Sequence, residues 1–202
     1  MSIGRDRASS FLAPMTGRTT TFLVEGRGVN LAFARVLMGQ VAESGDTCAI
    51  LDLDAFYSSN SEQAFRLSGA GALNDAVIRV PPPDADLEAE LAGLFKVQHK
   101  IIVIDSLNSL YHLLGQEDGG SRSRKLSFAI SSLSYFARTN EKSVIISMYR
   151  REGFLRGGQT RPISGLADCT VTVDVRGQDM VFRNERGPGW PGGRYSIRIP
   201  SG

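Results

Sequence analysis

Ile101, Ile102, Val103 and Ile104 run without a break into Asp105, and this short stretch constrains the fold more than any other part of the chain. Four β-branched residues in a row leave no polar face. A strand of that kind has to be covered on both sides, as a central strand of a parallel sheet is. In open α/β sheets ligands sit in the crevice beyond the carboxyl ends of the strands, so Asp105 is expected to border such a crevice. Two readings of this acid stay open at this point: a carboxylate that caps the next turn, and one that faces a ligand.

The rest of the chain repeats the pattern. Thr19–Glu25 reads as a strand, Gly26-Arg27-Gly28 as a tight turn, and a helix follows with Leu31, Ala32, Val36, Leu37 and Val41 at helical spacing and Gly45 as its stop. Thr47–Leu53 is a second buried strand, with Asp52 and Asp54 at its end. Ser59 or Asn60 is expected to cap a short helix that reaches Leu67 and closes at Gly69. Ala76–Val80 is a short strand stopped by three prolines, after which Asp84 or Asp86 caps a helix turning Leu87, Leu91, Leu94 and Phe95 inward.

After the central strand, the polar segment Gly115–Arg124 is expected to be a loop. It leads to a helix with Leu126, Ala129, Ile130, Leu133, Phe136 and Ala137 on its inner face, then to a buried strand at Ser143–Ser147. Arg150–Ser164 carries a Gly-Gly pair and four arginines, and a loop of that length is normally functional or disordered. Asp168–Val175 alternates strictly and with Met180–Arg186 predicts a β-hairpin; Tyr195–Ile199 is the last strand. The expectation is a single α/β domain over residues 1–202, its mainly parallel sheet covered by helices on both faces and extended by a C-terminal hairpin.

Composition narrows the classes. No apolar run approaches ~20 residues, so no membrane span and no membrane partner are expected. Cys48 and Cys169 each lie beside an apolar run and read as buried reduced thiols of an intracellular protein. His99 and His112 form no metal constellation with them, and no bound metal is expected. The net charge of +2 hides a division: residues 42–97 hold three basic and ten acidic side chains, residues 150–202 nine basic and five acidic. Only four of the basic residues are lysines, and arginine is the better bidentate phosphate ligand.

Strand, glycine turn and helix in succession are the layout of a phosphate-cradling loop, but the pattern GxxxxGK[ST] is absent. With Gly28 set at the last glycine, Val29 stands where the lysine belongs and Asn30 where the Ser/Thr belongs. The order of parts nevertheless resembles the ATPase core of the RecA/RadA recombinase superfamily, nearest to its archaeal and eukaryotic branch, over roughly residues 10–200. FLVEGRGVN occupies the place of the phosphate loop, and ILDLDAFYSSN resembles the second strand, with Asp54 in the position of the catalytic Glu. KIIVIDSLNSLYH resembles the Mg²⁺-binding strand, and SVIISMYR the sensor strand, with Met148 and Tyr149 in place of Asn-Gln.

The resemblance implies a RecA-like P-loop NTPase core without the family's separate N-terminal domain. Its clear Phe-x-x-Ala oligomerisation tetrapeptide is also missing, since Phe11-Leu12-Ala13-Pro14 only approximates it. In the family Asp105 would hold Mg²⁺. With Val29, Asn30, Met148 and Tyr149 altered, Gly26, Gly28, Asp54 and Asp105 are expected to be vestigial, with no catalytic residue and no cofactor. Two loops of the family bind DNA. Their counterparts here are His112–Arg124, with Arg122 and Arg124, and Arg150–Ser164, with Arg150, Arg151, Arg156, Arg161 and the stacking candidate Phe154. The implied protein is a catalytically inactive paralogue that binds single-stranded DNA and assists an active recombinase or related paralogue in recombination and repair, with a homo-oligomer as a further implied partner. It would be cytoplasmic and nucleoid-associated, or nuclear in a eukaryote. The alternative is a protein-interaction or signalling scaffold derived from an ATPase of the same superfamily.

Overall fold

Eight strands form one sheet: β1 (Arg18–Glu25), β2 (Cys48–Asp52), β3 (Val77–Arg79), β4 (Ile101–Asp105), β5 (Ser143–Arg150), β6 (Cys169–Arg176), β7 (Asp179–Arg186) and β8 (Arg194–Arg198). Their spatial order is β3-β2-β4-β5-β1-β6-β7-β8. Pairing is parallel from β3 through to β6, and antiparallel in the β6–β7 and β7–β8 pairs. The computed structural model describes residues 11–25, 29–60, 76–114, 119–150 and 166–199. The helices are α1 (Val29–Ser44), α2 (Phe56–Ser59), α3 (Leu87–Leu94), α4 (Leu107–Leu113) and α5 (Gly119–Thr139). Among the described residues, no helix is long and apolar enough to cross a membrane.

Alternation along the strands divides the core into two halves. On the α1 face, Cys48, Ile50, Ile101, Val103, Ile145, Val171 and Val173 meet Phe33, Leu37, Met38 and Val41 of α1. On the opposite face, Leu51, Ile102, Ile104, Val144 and Ile146 meet Leu91 and Leu94 of α3, Leu107 and Leu110 of α4, and Leu126, Ile130 and Leu133 of α5. All five residues of β4 are buried, as a doubly covered strand requires.

The two ends of the described chain are joined by aromatic packing. Phe11 lies 4.8 Å from the Phe182 ring and 5.3 Å from Trp190, whose indole Nε1 donates to the Phe11 carbonyl at 3.0 Å. Phe11 is therefore committed to this chain's own core.

Several expectations need correction. Helix α1 buries Phe33, Ala34 and Met38, while Leu31 and Ala32 stay half-buried. Ser59 ends α2, and Asn60 caps its C-terminus by donating from its backbone to the Phe56 carbonyl. The expected continuation to Gly69 lies outside the described residues. Phe95 follows α3 and is 38% exposed, its ring edge-on to Phe136. Strand β6 does not alternate between buried and open positions: Thr170 and Thr172 are buried along with Cys169, Val171 and Val173. Helix α4 was not foreseen; Ser106 caps it by accepting from Ser109 N. Helix α5 starts at Gly119, so Arg122 and Arg124 stand on a helix and not in a loop.

Candidate functional site

The parallel register sets Asp52 beside Asp105 across β2 and β4, and Asp105 beside Ser147 across β4 and β5. Paired residues of adjacent strands share a face, so these three side chains form one row at the carboxyl edge of the sheet, on the α1 side. Tyr57 from α2 and Tyr149 from β5 close over that row, and both are buried.

Each carboxylate has its own donors. Asp52 accepts from Phe56 N at 2.8 Å and Ser58 N at 2.7 Å, which caps α2 from the strand that precedes it. Asp54 accepts from the Ser106 hydroxyl at 2.7 Å and from the Ser109 hydroxyl, which ties the turn after β2 to the start of α4. Asp105 Oδ1 accepts from the Tyr149 phenol at 2.6 Å. Its Oδ2 has no hydrogen-bond partner, nor do Tyr57 Oη and Ser147 Oγ nearby. The peptide joining Asp105 to Ser106 is cis. Among the described residues no three His, Cys, Asp or Glu side chains converge as a metal ion would need.

Burial pushes the Asp105 carboxyl up from 3.8 to about 7; the hydrogen bond from Tyr149 and the neighbouring Ser147 hydroxyl pull the other way, and the negative charges of Asp54 and Asp52 add to the rise. Burial likewise pushes the Tyr57 and Tyr149 phenols well above their ordinary range, with the Asp105 charge acting in the same direction. Asp105 and the two phenols are therefore biased toward their neutral forms.

A further contact holds Tyr149 in place. Strand β4 ends at Asp105, so Tyr149, two residues beyond Ser147 on β5, pairs with Val24 of β1 on one side but has no strand beside it on the β4 side. Asn108, on the first turn of α4, substitutes for one. Its Nδ2 donates to the Tyr149 carbonyl at 3.1 Å, and its Oδ1 accepts from Tyr149 N at 2.9 Å. Both groups are buried, where an unpaired backbone donor or acceptor is costly. Sequence reasoning missed Asn108. The available signal was a polar residue between Leu107 and Leu110, on a helix too short to offer a clear period.

Of the residues singled out beforehand, Asp54, Asp105 and Tyr149 come together here. Met148 points to the other face and packs among Ile104, Leu107 and Leu110. Val29 and Asn30 open α1, and Val29 packs against the apolar cluster on that face. Arg122 places its guanidinium 5.4 Å from the Tyr111 ring centroid, and Arg124 is exposed. Arg150 is the last residue of β5. Gly26, Gly28, Arg151, Phe154, Arg156 and Arg161 lie outside the described residues.

No protein-family model matches the chain, and no curated protein matches it. Among solved structures it is similar to the crystal structure of the RadB recombinase, with a TM-score of 0.70, 18% identity, and coverage of 95% of this chain and 93% of that one. The chain has a RecA-like fold, with an antiparallel C-terminal extension.

Proposed function

We propose that this chain is a catalytically silent paralogue of the RecA/RadA-type recombinases, which binds single-stranded DNA and assists an active recombinase in homologous recombination and DNA repair. The observation that carries the reading is the bond from the Tyr149 phenol to Asp105. A carboxylate that holds Mg²⁺ has to be ionised and open to the ion. Asp105 is 0% exposed, biased toward its neutral form, and already engaged by a side chain of the neighbouring strand. Asp54, in the position of the family's catalytic Glu, is held by Ser106 and Ser109. Val29 and Asn30 bring neither the cation nor the hydroxyl that phosphoryl transfer depends on. These residues do not fit a magnesium nucleotide, and no catalytic step is derived through one.

The DNA side of the reading is supported by position and charge. The arginine segment starts at Arg150, directly after Tyr149, and so leaves the sheet at the edge where the carboxylates stand. Residues 150–202 hold nine basic against five acidic side chains. The likeness to a RadB recombinase sets DNA ahead of an acidic protein as the partner of that segment.

Two measurements on the purified chain test the proposal. ATP turnover should not exceed that of a contaminant control, and turnover that disappears in an Asp105→Ala variant would overturn catalytic silence. Binding of a labelled oligothymidine, titrated against salt, should show a log–log slope that flattens by about three units when Arg150, Arg151, Arg156 and Arg161 become alanine, at ~0.7 per phosphate contact. An unchanged slope overturns the DNA assignment of the segment.

A further inference from the structure

Helix α5 carries four basic residues, Arg122, Arg124, Lys125 and Arg138, and no acid along its whole length. Its outward stripe reads Gly120, Arg124, Phe128, Ser131, Tyr135 and Arg138, at the three- and four-residue steps that share one helix face. Two large aromatic rings stand open on that stripe: Phe128 is 76% and Tyr135 73% exposed. Neither is needed by the core, which α5 reaches through Leu126, Ile130, Leu133 and Phe136 on its other side.

The spacing decides between partners. Seven residues separate the rings, which is close to two full turns and about 10.5 Å along the axis. Ser131, exposed, stands between them. The rings are therefore separate islands and not one apolar patch of the kind that docks a protein. Separate rings with accessible faces, flanked by arginines on an acid-free helix, are what a single nucleic-acid strand uses: bases stack on the rings and phosphates meet the cations. Glu117 and Asp118 precede the helix in sequence and lie outside the described residues; the acids near it among the described residues are engaged or distant. Glu88 bonds Lys125 at 3.3 Å and Asp168 bonds Arg138 at 2.6 Å, while Glu141 is exposed past the helix end. Arg124 is thus the principal phosphate contact, and Arg138 shares its charge with Asp168. Because α5 runs back from the carboxyl edge of the sheet to the start of β5, its Arg124 end lies on the side where the arginine segment departs.

We propose that the outer face of α5, through Phe128 and Tyr135 with Arg124, is a second single-stranded nucleic-acid contact, separate from the arginine segment after β5. It goes beyond the proposed function and depends on α5's own side chains; the two share only the ligand.

The test is fluorescence anisotropy of a labelled oligothymidine with the full chain. Phe128→Ala with Tyr135→Ala should weaken binding by roughly tenfold per ring lost, since stacking contributes ~1–3 kcal/mol per base and 1.4 kcal/mol is tenfold. The salt slope should hardly change, because stacking releases few ions, and the unfolding midpoint should not move, because both rings are exposed. Arg124→Ala should instead flatten the slope by about 0.7. A Phe128→Trp variant should keep its affinity, and its added indole fluorescence should be quenched by the oligonucleotide. Parental affinity in the double-ring variant overturns the proposal, and it does so whether or not the four-arginine variant has lost binding. Labelled polyglutamate bound as tightly as the oligothymidine, and weakened equally by the ring substitutions, also overturns it and assigns the face to an acidic protein.

Discussion

Asp105 faces Asp52 on β2, Asp54 in the turn after it, Tyr57 on α2, and Ser147 and Tyr149 on β5, and this company sets its titration. Its carboxyl rises from 3.8 to about 7 on folding, chiefly through burial. Between those two values the folded chain holds a proton that the unfolded chain has lost. The stability linked to that proton is complete below pH ~4, falls as pH rises toward ~7, and is level above, with a slope of at most about 1.4 kcal/mol per pH unit. Asp105→Asn keeps the shape and an acceptor for Tyr149 but cannot ionise. Its urea midpoint should gain on the parent's as pH rises from about 4 to about 7, following that slope. Parallel midpoints for parent and variant across this window would show that Asp105 is ionised in the folded protein.

Helix α4 and strand β5 are joined at one point, and the join can be separated from general packing. Asn108→Ala removes both partners of the buried Tyr149 backbone, at a cost of about 1–3 kcal/mol for groups left unsatisfied. Amide exchange gives the specific readout: Tyr149 N–H should lose protection while the amides of β4 keep theirs. Equal protection in both proteins would mean that the carboxamide contributes nothing. Ile104→Ala, at a fully buried position of β4, should cost ~2–5 kcal/mol and loosen the sheet generally. A near-neutral denaturation result there would contradict the central place of β4. The serines, glycines and arginines of 115–124 look like loop composition, yet Gly119–Arg124 is helical because Leu126, Ile130 and Leu133 anchor the rest of α5 to the sheet.

At the scale of the molecule, Phe11 and Trp190 bring the two ends of the described chain together over β7 and β1. Phe11→Ala removes the ring that contacts Phe22, Phe182, Trp190 and Tyr195, and should cost about 3–5 kcal/mol with no change in the site at the far edge. A thermal unfolding midpoint within error of the parent's would mean that the N-terminal segment is only lightly held. The α/β class, the central strand and the C-terminal hairpin were all legible in the sequence. Each is written in a local signal: an unbroken β-branched run, a period of two or a period near four. The candidate site was legible only in part. Asp54, Asp105 and Tyr149 could be named from their places in the chain, but not what they do to one another. Whether Asp105 faces a ligand or is sealed by a phenol depends on strand register, which pairs residues 42 and 53 positions apart. Nor does any local pattern reveal that Asn108 completes a sheet that β4 leaves short, or that Phe128 and Tyr135 face outward together. Local sequence determined which segments become strands and helices, because backbone preference and apolar periodicity act within a few residues. Tertiary structure alone decided which polar groups satisfy one another, because that depends on distances between elements that the chain order does not contain.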